Sequence, residues 1–343
     1  MRVYAAIQRK AGVFALMKYR AFGQTGWNVS EISLGTWQLG GSEWGAVDEQ
    51  AALDTLGAAV ERGVNFFDTA DVYGLGRSES IIGKFLKSRT EEIIVATKLG
   101  RFPEPGWPEN FSLKSLRAHT EASLGRLGVD ALDLTQLHCI PAGVLGEGEV
   151  FESLRTLKRE GKIKNFGVSV ESDEEARLCL AQDGVASLQI IFNIFRQKPA
   201  QWFEEARSKG VAIIVRLPLA SGLLSGKFTK ETTFPENDHR NFNRDGQQFN
   251  VGETFAGLPF AAGVELTDAL KPSVPAGMTL AQMALRWILD FQAVTTVIPG
   301  ASKPSQVARN VEVSELPPLG TDLHARLQEF YTSRVADQIR GPY

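Results

Sequence analysis

Ile93-Ile94-Val95-Ala96-Thr97-Lys98 reads as a strand with scarcely a polar interruption until its last residue. A sheet with one wet face would show alternation here; a continuous apolar run belongs to a strand covered on both faces, as in parallel sheets. Ala212-Ile213-Ile214-Val215 repeats the pattern. Parallel neighbours need crossovers of a dozen or more residues, usually helices. Working outward, further strands are predicted at residues 32–36, 65–68, 132–138, 165–169, 187–192, 212–217 and 295–298, which with 93–98 makes eight. Between them, residues 48–62, 113–127, 149–159, 200–209 and 280–291 carry apolar residues at three- and four-residue spacing, the mark of amphipathic helices. Eight strand–helix units predict an α/β fold closed as a (β/α)8 TIM barrel. The rival, an open doubly wound sheet, would follow a strand with G-x-G-x-x-G, and no strand here does. Gly222-Leu223-Leu224-Ser225-Gly226-Lys227 is one residue too short between its glycines for a phosphate loop and lacks the Ser or Thr after Lys.

Lys18-Tyr19-Arg20 and Trp27-Asn28-Val29 flank Gln24-Thr25-Gly26, which predicts an N-terminal β-hairpin capping one barrel end. Residues 17–343 are expected to form a single barrel domain. Residues 1–16 read as a poorly ordered extension or a misplaced start, since Gln8-Arg9-Lys10 breaks any hydrophobic stretch of a signal peptide. The 343 residues, 43% apolar and 22% charged, suffice for a large core. A net charge of -3 is too mild for a nucleic-acid or polybasic membrane binder, so the expected partner is a small molecule. No apolar run approaches the roughly 20 residues that span a bilayer. Two cysteines exclude a disulfide framework and fit a reducing cytoplasm. Composition leaves the oligomeric state open.

Three consecutive strands deliver an ionisable residue at their C-terminal ends: Asp68, Lys98 and His138. In a parallel barrel that rim is the catalytic face, and Tyr73 stands five residues beyond Asp68. Each alone has a plain structural explanation: a turn cap, a solvated lysine, a core histidine, a packing aromatic. Together they form a coherent proton-transfer set. Tyrosine is a poor acid, with a reference pKa of about 10; an ammonium nearby favours phenolate, and a carboxylate keeps that ammonium charged. His138 would donate to a carbonyl oxygen. The four histidines show no H-x-H or H-E-x-x-H spacing, which predicts no metal and insensitivity to chelators. Residues 228–260 form the longest irregular stretch, expected to be functional.

Phe67-Asp68-Thr69-Ala70-Asp71-Val72-Tyr73-Gly74, followed by Gly76 and Ser78-Glu79, closely resembles the signature of the aldo/keto reductase family. Ala96-Thr97-Lys98, Leu137-His138, Gly35-Thr36-Trp37, Gly167-Val168-Ser169, Gln189, Pro218-Leu219, Gly222 to Lys227 and Ile298-Pro299-Gly300 through Asn310 extend the resemblance over nearly the whole chain from Met17. The resemblance implies a tetrad of Asp68, Tyr73, Lys98 and His138. It implies NADP(H) bound along Gly35, Thr36 and Trp37, with Ser169 and Gln189 at the carboxamide and Arg216 under the nicotinamide. Pro218, Leu219, Gly222 and Lys227 would follow the pyrophosphate, and Gly300, Ser302, Lys303, Gln306 and Asn310 the adenosine end. Three residues depart from the family's pattern. Val170 replaces an Asn that contacts the carboxamide, Arg216 replaces a stacking Tyr, and Arg309 replaces a Glu. A guanidinium can stack, but its charge opposes the oxidised ring. Arg309 and Lys303 together favour a 2′-phosphate, hence NADPH over NADH.

Substrate contacts are expected from Trp37, Trp44, Trp107, Arg240 and Phe242, a lining that suits aldehydes, ketones, quinones or small sugars. The function expected is NADPH-dependent carbonyl reduction with Tyr73 as proton donor. Two other readings stand beside it: a sugar or alcohol dehydrogenase working oxidatively, and a non-catalytic redox-sensing regulatory subunit of the same fold.

Overall fold

In the computed structural model, which describes residues 17–41, 43–44 and 47–343, an antiparallel hairpin comes first, β1 (Tyr19–Ala21) against β2 (Asn28–Ser30). The expectation for residues 1–16 lies outside the described residues. The chain continues as β3 (Leu34–Gly35), α1 (Glu49–Glu61), β4 (Phe66–Asp68), α2 (Arg77–Leu86), β5 (Ile94–Leu99), α3 (Leu113–Leu127), β6 (Leu132–His138), α4 (Ala142–Glu147), α5 (Glu149–Arg159) and β7 (Ile163–Ser169). Then follow α6 (Asp173–Leu180), β8 (Val185–Ile191), α7 (Ala200–Ser208), β9 (Ala212–Arg216), α8 (His239–Phe242), α9 (Phe260–Leu270), α10 (Leu280–Leu289), β10 (Val294–Val297), α11 (Pro304–Val311) and α12 (Thr321–Phe330). Strands β3 to β10 lie side by side in chain order and all pair in parallel. Ser33 N–H donates to Val297 O at 2.8 Å and Val297 N–H to Glu31 O at 3.0 Å, which joins the last strand to the first. The sheet is therefore a (β/α)8 barrel rather than an open layer.

Local chemistry starts and stops the outer helices. Side chains of Asp48, Ser112 and Ser172 accept the first free N–H groups of α1, α3 and α6, and Thr279 with Gln282 forms a capping box on α10. The register sets Lys98 opposite Gln136 and His138 opposite Ser169, so the polar strand ends share one rim.

The opposite end is plugged. Phe22 and Val29 of the hairpin pack with Phe66, Ile94, Leu134 and Ile214 inside the cylinder. Arg20 clamps the hairpin down: its guanidinium pairs with buried Glu31 at 2.8 Å and donates to Val294 O and Leu289 O, each at 2.7 Å. Arg20→Ala leaves Glu31 without its cation and those carbonyls without a donor, so it should cost about 2–4 kcal/mol. Urea unfolding reads this as a lower midpoint at unchanged m-value, with the rim chemistry intact. Among the described residues, no helix is long and apolar enough to cross a membrane.

Candidate active site

Lys98 is fully buried, and its ammonium spends all three donors locally: on Asp68 Oδ1 at 2.5 Å, Thr69 O at 2.9 Å and the Tyr73 hydroxyl at 3.1 Å. The other carboxylate oxygen of Asp68 accepts from Gln189 Nε2 at 2.7 Å and Gln136 Nε2 at 3.1 Å. Tyr73 is carried there by backbone that extends the ladder past β4, with Thr69 N–H on Ala96 O and Asp71 N–H on Lys98 O. The turn then depends on Gly74, whose φ is +60°; a Cβ there would stand 2.3 Å from Gly40 O. Trp37 stacks beside the phenol at 5.8 Å, and His138 meets it edge-on at 5.9 Å.

Dehydration governs the protonation states. Burial opposes the charge on Lys98, but Asp68 and then Tyr73 outweigh it and hold the ammonium above its ordinary value. Burial pushes the Tyr73 phenol up to about 12, even though Lys98 pulls it down. The acidified tyrosine expected from the sequence is thereby corrected: the ammonium acts in the expected direction, and loss of water acts more strongly. Burial, reinforced by Arg101, Lys98 and Arg216, holds His138 well below the usual histidine range, so its ring is neutral. Its Nδ1 is buried with no hydrogen-bond partner among the described residues.

Two cavities meet at this centre. The first, of about 380 Å³, runs along Gly35, Thr36, Trp37, Asp68, Tyr73, His138, Gln189 and Arg216 to Pro218, Leu219, Gly222 and Lys227, and on to Gly300, Ser302 and Gln306. Ser169, Lys303 and Asn310 lie outside its lining: the Ser169 hydroxyl faces Cys139 Sγ at 3.4 Å, and Lys303 is exposed at the start of α11. Its wall after β9 is a strained turn, with positive φ at Leu217, Ala220, Ser221 and Gly222. For non-glycine residues such backbone costs roughly 1–3 kcal/mol each and gathers at functional sites. Trp44 and Arg240 also line this cavity, and they roof it: His239 N–H donates to Glu43 O at 3.0 Å, and the Arg240 guanidinium lies over the Trp44 ring at 4.9 Å. Phe242 packs edge-on against Phe249 and lines neither cavity. Among the described residues, Gln38 Oε1 and Arg216 Nε are buried in this cavity without partners, an acceptor and a donor that match a polar ligand.

The second cavity, of about 540 Å³, shares among the described residues only Trp37, Tyr73, His138 and Glu253 with the first. Trp107 lines it, as do Glu43, Arg101, Cys139, Glu171, Phe249 and Asn250, none of which the sequence singled out. Arg101 follows Lys98 by three residues, and Asn250 and Glu253 fall in the long 228–260 stretch. Those positions were the available signals.

A parallel barrel whose C-terminal rim gathers a lysine–carboxylate pair beneath a phenol, between two joined cavities, has the layout of a barrel enzyme. Comparison gives the family. The family model described as the aldo/keto reductase family matches residues 31–332. The chain is 32% identical to the aldo-keto reductase YhdN of Bacillus subtilis (strain 168), over 95% of this chain and 96% of that one. Among solved structures, it resembles the holo form of an aldo-keto reductase from Bacillus halodurans with a TM-score of 0.75 at 30% identity, covering 95% of this chain and 100% of that one. It also resembles a glycerol dehydrogenase from Gluconobacter oxydans with a TM-score of 0.76 at 27% identity, covering 95% and 98%. The chain belongs to the aldo/keto reductase family, NAD(P)H-dependent oxidoreductases acting on carbonyl and alcohol groups.

Proposed function

We propose that this protein is an NADPH-dependent carbonyl reductase in which Tyr73 protonates the substrate oxygen. The observation that carries the reading is the Tyr73 hydroxyl: it lies where the two cavities join, with Lys98 Nζ 3.1 Å away. A nicotinamide dinucleotide suits the first cavity, whose unpartnered Gln38 Oε1 and Arg216 Nε match polar groups and whose Lys227 and Arg240 match phosphates. When bound, it would supply a hydride, one proton with two electrons, to the carbonyl carbon, or accept one in reverse. The chain's own residues supply the proton and the orientation. A phenol near 12 stays protonated at neutral pH, yet an alkoxide is about as basic as hydroxide, the conjugate base of water at roughly 15.7, so transfer to it is downhill. Lys98 stabilises the phenolate left behind, and Asp68 keeps Lys98 charged. Neutral His138 orients the carbonyl by a hydrogen bond. Trp37 covers the phenol and limits access of water.

The buried thiols Cys139 and Cys179 agree with a reducing cytoplasm, and we read residues 17–343 as one domain. The direct test mixes purified protein, NADPH and a simple aldehyde and follows the nicotinamide absorbance. Consumption dependent on the aldehyde is expected; none with any carbonyl or alcohol, in either direction, would contradict the assignment. Lys303 and Arg309 are exposed beside the cavity's Gln306 end, which supports preference for the 2′-phosphate. Lys303→Ala with Arg309→Ala should reduce the NADPH-over-NADH ratio of kcat/KM by about tenfold or more. Arg216 places a buried guanidinium in the cavity wall that the reading gives to the nicotinamide, where it disfavours the cationic oxidised ring. Arg216→Tyr should therefore tighten NADP+ relative to NADPH by about severalfold. Fluorescence titration of both forms reads this without turnover, and an unchanged ratio would remove Arg216 from that role.

A further inference from the structure

We infer that Glu253 sets the balance between the reduced and the oxidised nicotinamide by neutralising Arg216, and that Arg101 competes with Arg216 for the same carboxylate oxygen. This deepens the reading above and rests on it for a dinucleotide whose nicotinamide meets Arg216.

Glu253 reaches the centre on the long loop after β9, and the strained turn holds it there: the Ser221 hydroxyl donates to Glu253 O at 3.2 Å and accepts from Phe255 N–H at 3.1 Å. The residue is buried and lines both cavities. One atom, Oε1, faces two guanidiniums, with Arg101 Nη1 at 3.0 Å and Arg216 Nη1 at 3.9 Å. Arg101 is held on its other side by Glu171 Oε1 at 3.4 Å. Among the described residues Arg216 has no other ion-pair partner. Its Nη2 lies 3.4 Å from both Cys139 Sγ and Val170 O. Burial pushes the Cys139 thiol up to about 11, so neither contact carries charge. Burial also opposes the charge on Glu253, but Arg101 and then Arg216 outweigh it and hold the carboxyl well below its usual range.

Charges of both signs crowd this region and nearly cancel. Arg101, Arg216 and buried Arg196, whose Nη2 donates to Glu171 O, oppose Glu253, Glu171 and Glu43. Lys98 and Asp68 offset each other, and His138 is neutral. Burial, then Glu253, pushes the Glu171 carboxyl up to about 7, and burial raises Glu43 as well, so Glu253 is the fixed negative charge of the set. Where opposite charges almost balance, removing one of either sign tips the local field. The oxidised nicotinamide ring carries a positive charge and the reduced ring none, whereas the rest of the dinucleotide is the same in both. The ratio of their affinities therefore isolates charge at the ring: damage to the cavity weakens both forms alike, and a change in nearby charge moves the oxidised one. A bare Arg216 would retain the reduced form and expel the oxidised one, committing the site to reduction. Glu253 offsets that guanidinium, so that either form is held.

The test titrates each protein with NADPH and with NADP+, follows tryptophan fluorescence, and compares the ratio of the two dissociation constants. Glu253→Gln should raise the preference for NADPH by about three- to tenfold. Arg101→Met removes a positive charge and frees Oε1 for Arg216, so it should lower the preference by about the same factor. Glu253→Asp keeps the charge and should leave the ratio within about twofold of wild type. The double variant Arg101→Met/Glu253→Gln should fall between the two single ones. If Arg101→Met alone fails to fold, the step from Glu253→Gln to the double variant reads the same charge. Shifts of opposite sign support the inference, because a purely structural role gives no reason for the variants to divide by charge. A ratio that either single variant leaves unmoved, or that both move the same way, would overturn it while leaving nicotinamide binding and carbonyl reduction intact. Binding of neither form by wild type would overturn the reading above, and this inference with it.

Discussion

Tyr73→Phe is expected to lower the rate of carbonyl reduction by about 10²- to 10⁴-fold, the range for loss of a positioned general acid, while leaving NADPH affinity within about twofold. The substitution deletes one oxygen. It leaves the ring beside Trp37 and removes a single partner of Lys98, which keeps Asp68 and Thr69 O. Packing and cofactor contacts should therefore survive, and a fluorescence titration with NADPH checks this. The pH profile of wild type follows from the same groups. Dehydration sets the phenol near 12 and the His138 ring well below its usual range, so neither titrates between pH 7 and 10. Neither group should give kcat for reduction a step in that window; burial pushes the Glu171 and Asp71 carboxyls up to about 7 and about 8, so a modest step there belongs to them, and a complete loss of turnover just above neutrality would point to a different acid.

Asp68→Ala is expected to damage both fold and rate. Its carboxylate carries Lys98 on one oxygen and Gln136 and Gln189 on the other, all of them buried. Removing one partner of a buried pair costs about 3–5 kcal/mol. In wild type the Lys98 value is raised, so its contribution to stability is fully present below the unfolded value of about 10.4 and is lost only as pH climbs through the folded value. Without Asp68 the balance shifts towards burial, which depresses Lys98. The unfolded state then binds the extra proton, and stability of the variant rises with pH up to about 10.4. Urea unfolding at pH 7 and pH 9 should show the gap between wild type and variant narrowing at the higher pH. Turnover should fall at least about 10²-fold, because a neutral lysine no longer stabilises phenolate. Asp68→Asn, which keeps the shape, should retain more stability than the alanine variant and little more activity.

The barrel was legible because its strands are apolar runs ending on ionisable residues. Residues 132–138 fall as expected in β6, whereas the strand expected at 32–36 keeps only Leu34–Gly35 in the ladder; Ile32 and Gly35 make single bridges to Val297 and Gly300 at the barrel's closure. Gln136 was within reach of sequence reasoning, being two residues before His138 and so on the same strand face, and it lies under Asp68. The turn after β9 was legible only at Gly222, because the rest of its left-handed backbone is carried by Leu217, Ala220 and Ser221, residues that do not announce it. Nor was the network of Arg101, Glu171 and Glu253, whose members lie up to 152 residues apart and meet only in the folded chain. The tyrosine's acidity also needed the structure. A sequence can supply the lysine beside it, but the depth of burial that outweighs the lysine is a property of the packed rim.

The measurement that bears most directly on the phenol as proton source is a single turnover: protein premixed with NADPH, mixed rapidly with an aldehyde, and followed by nicotinamide absorbance in H2O and in D2O. The proton from Tyr73 should make wild type slower in D2O, and the residual reaction of Tyr73→Phe should be both slow and largely indifferent to the solvent isotope. Equal rates for the two proteins, or the same isotope sensitivity in both, would assign the proton to some other group.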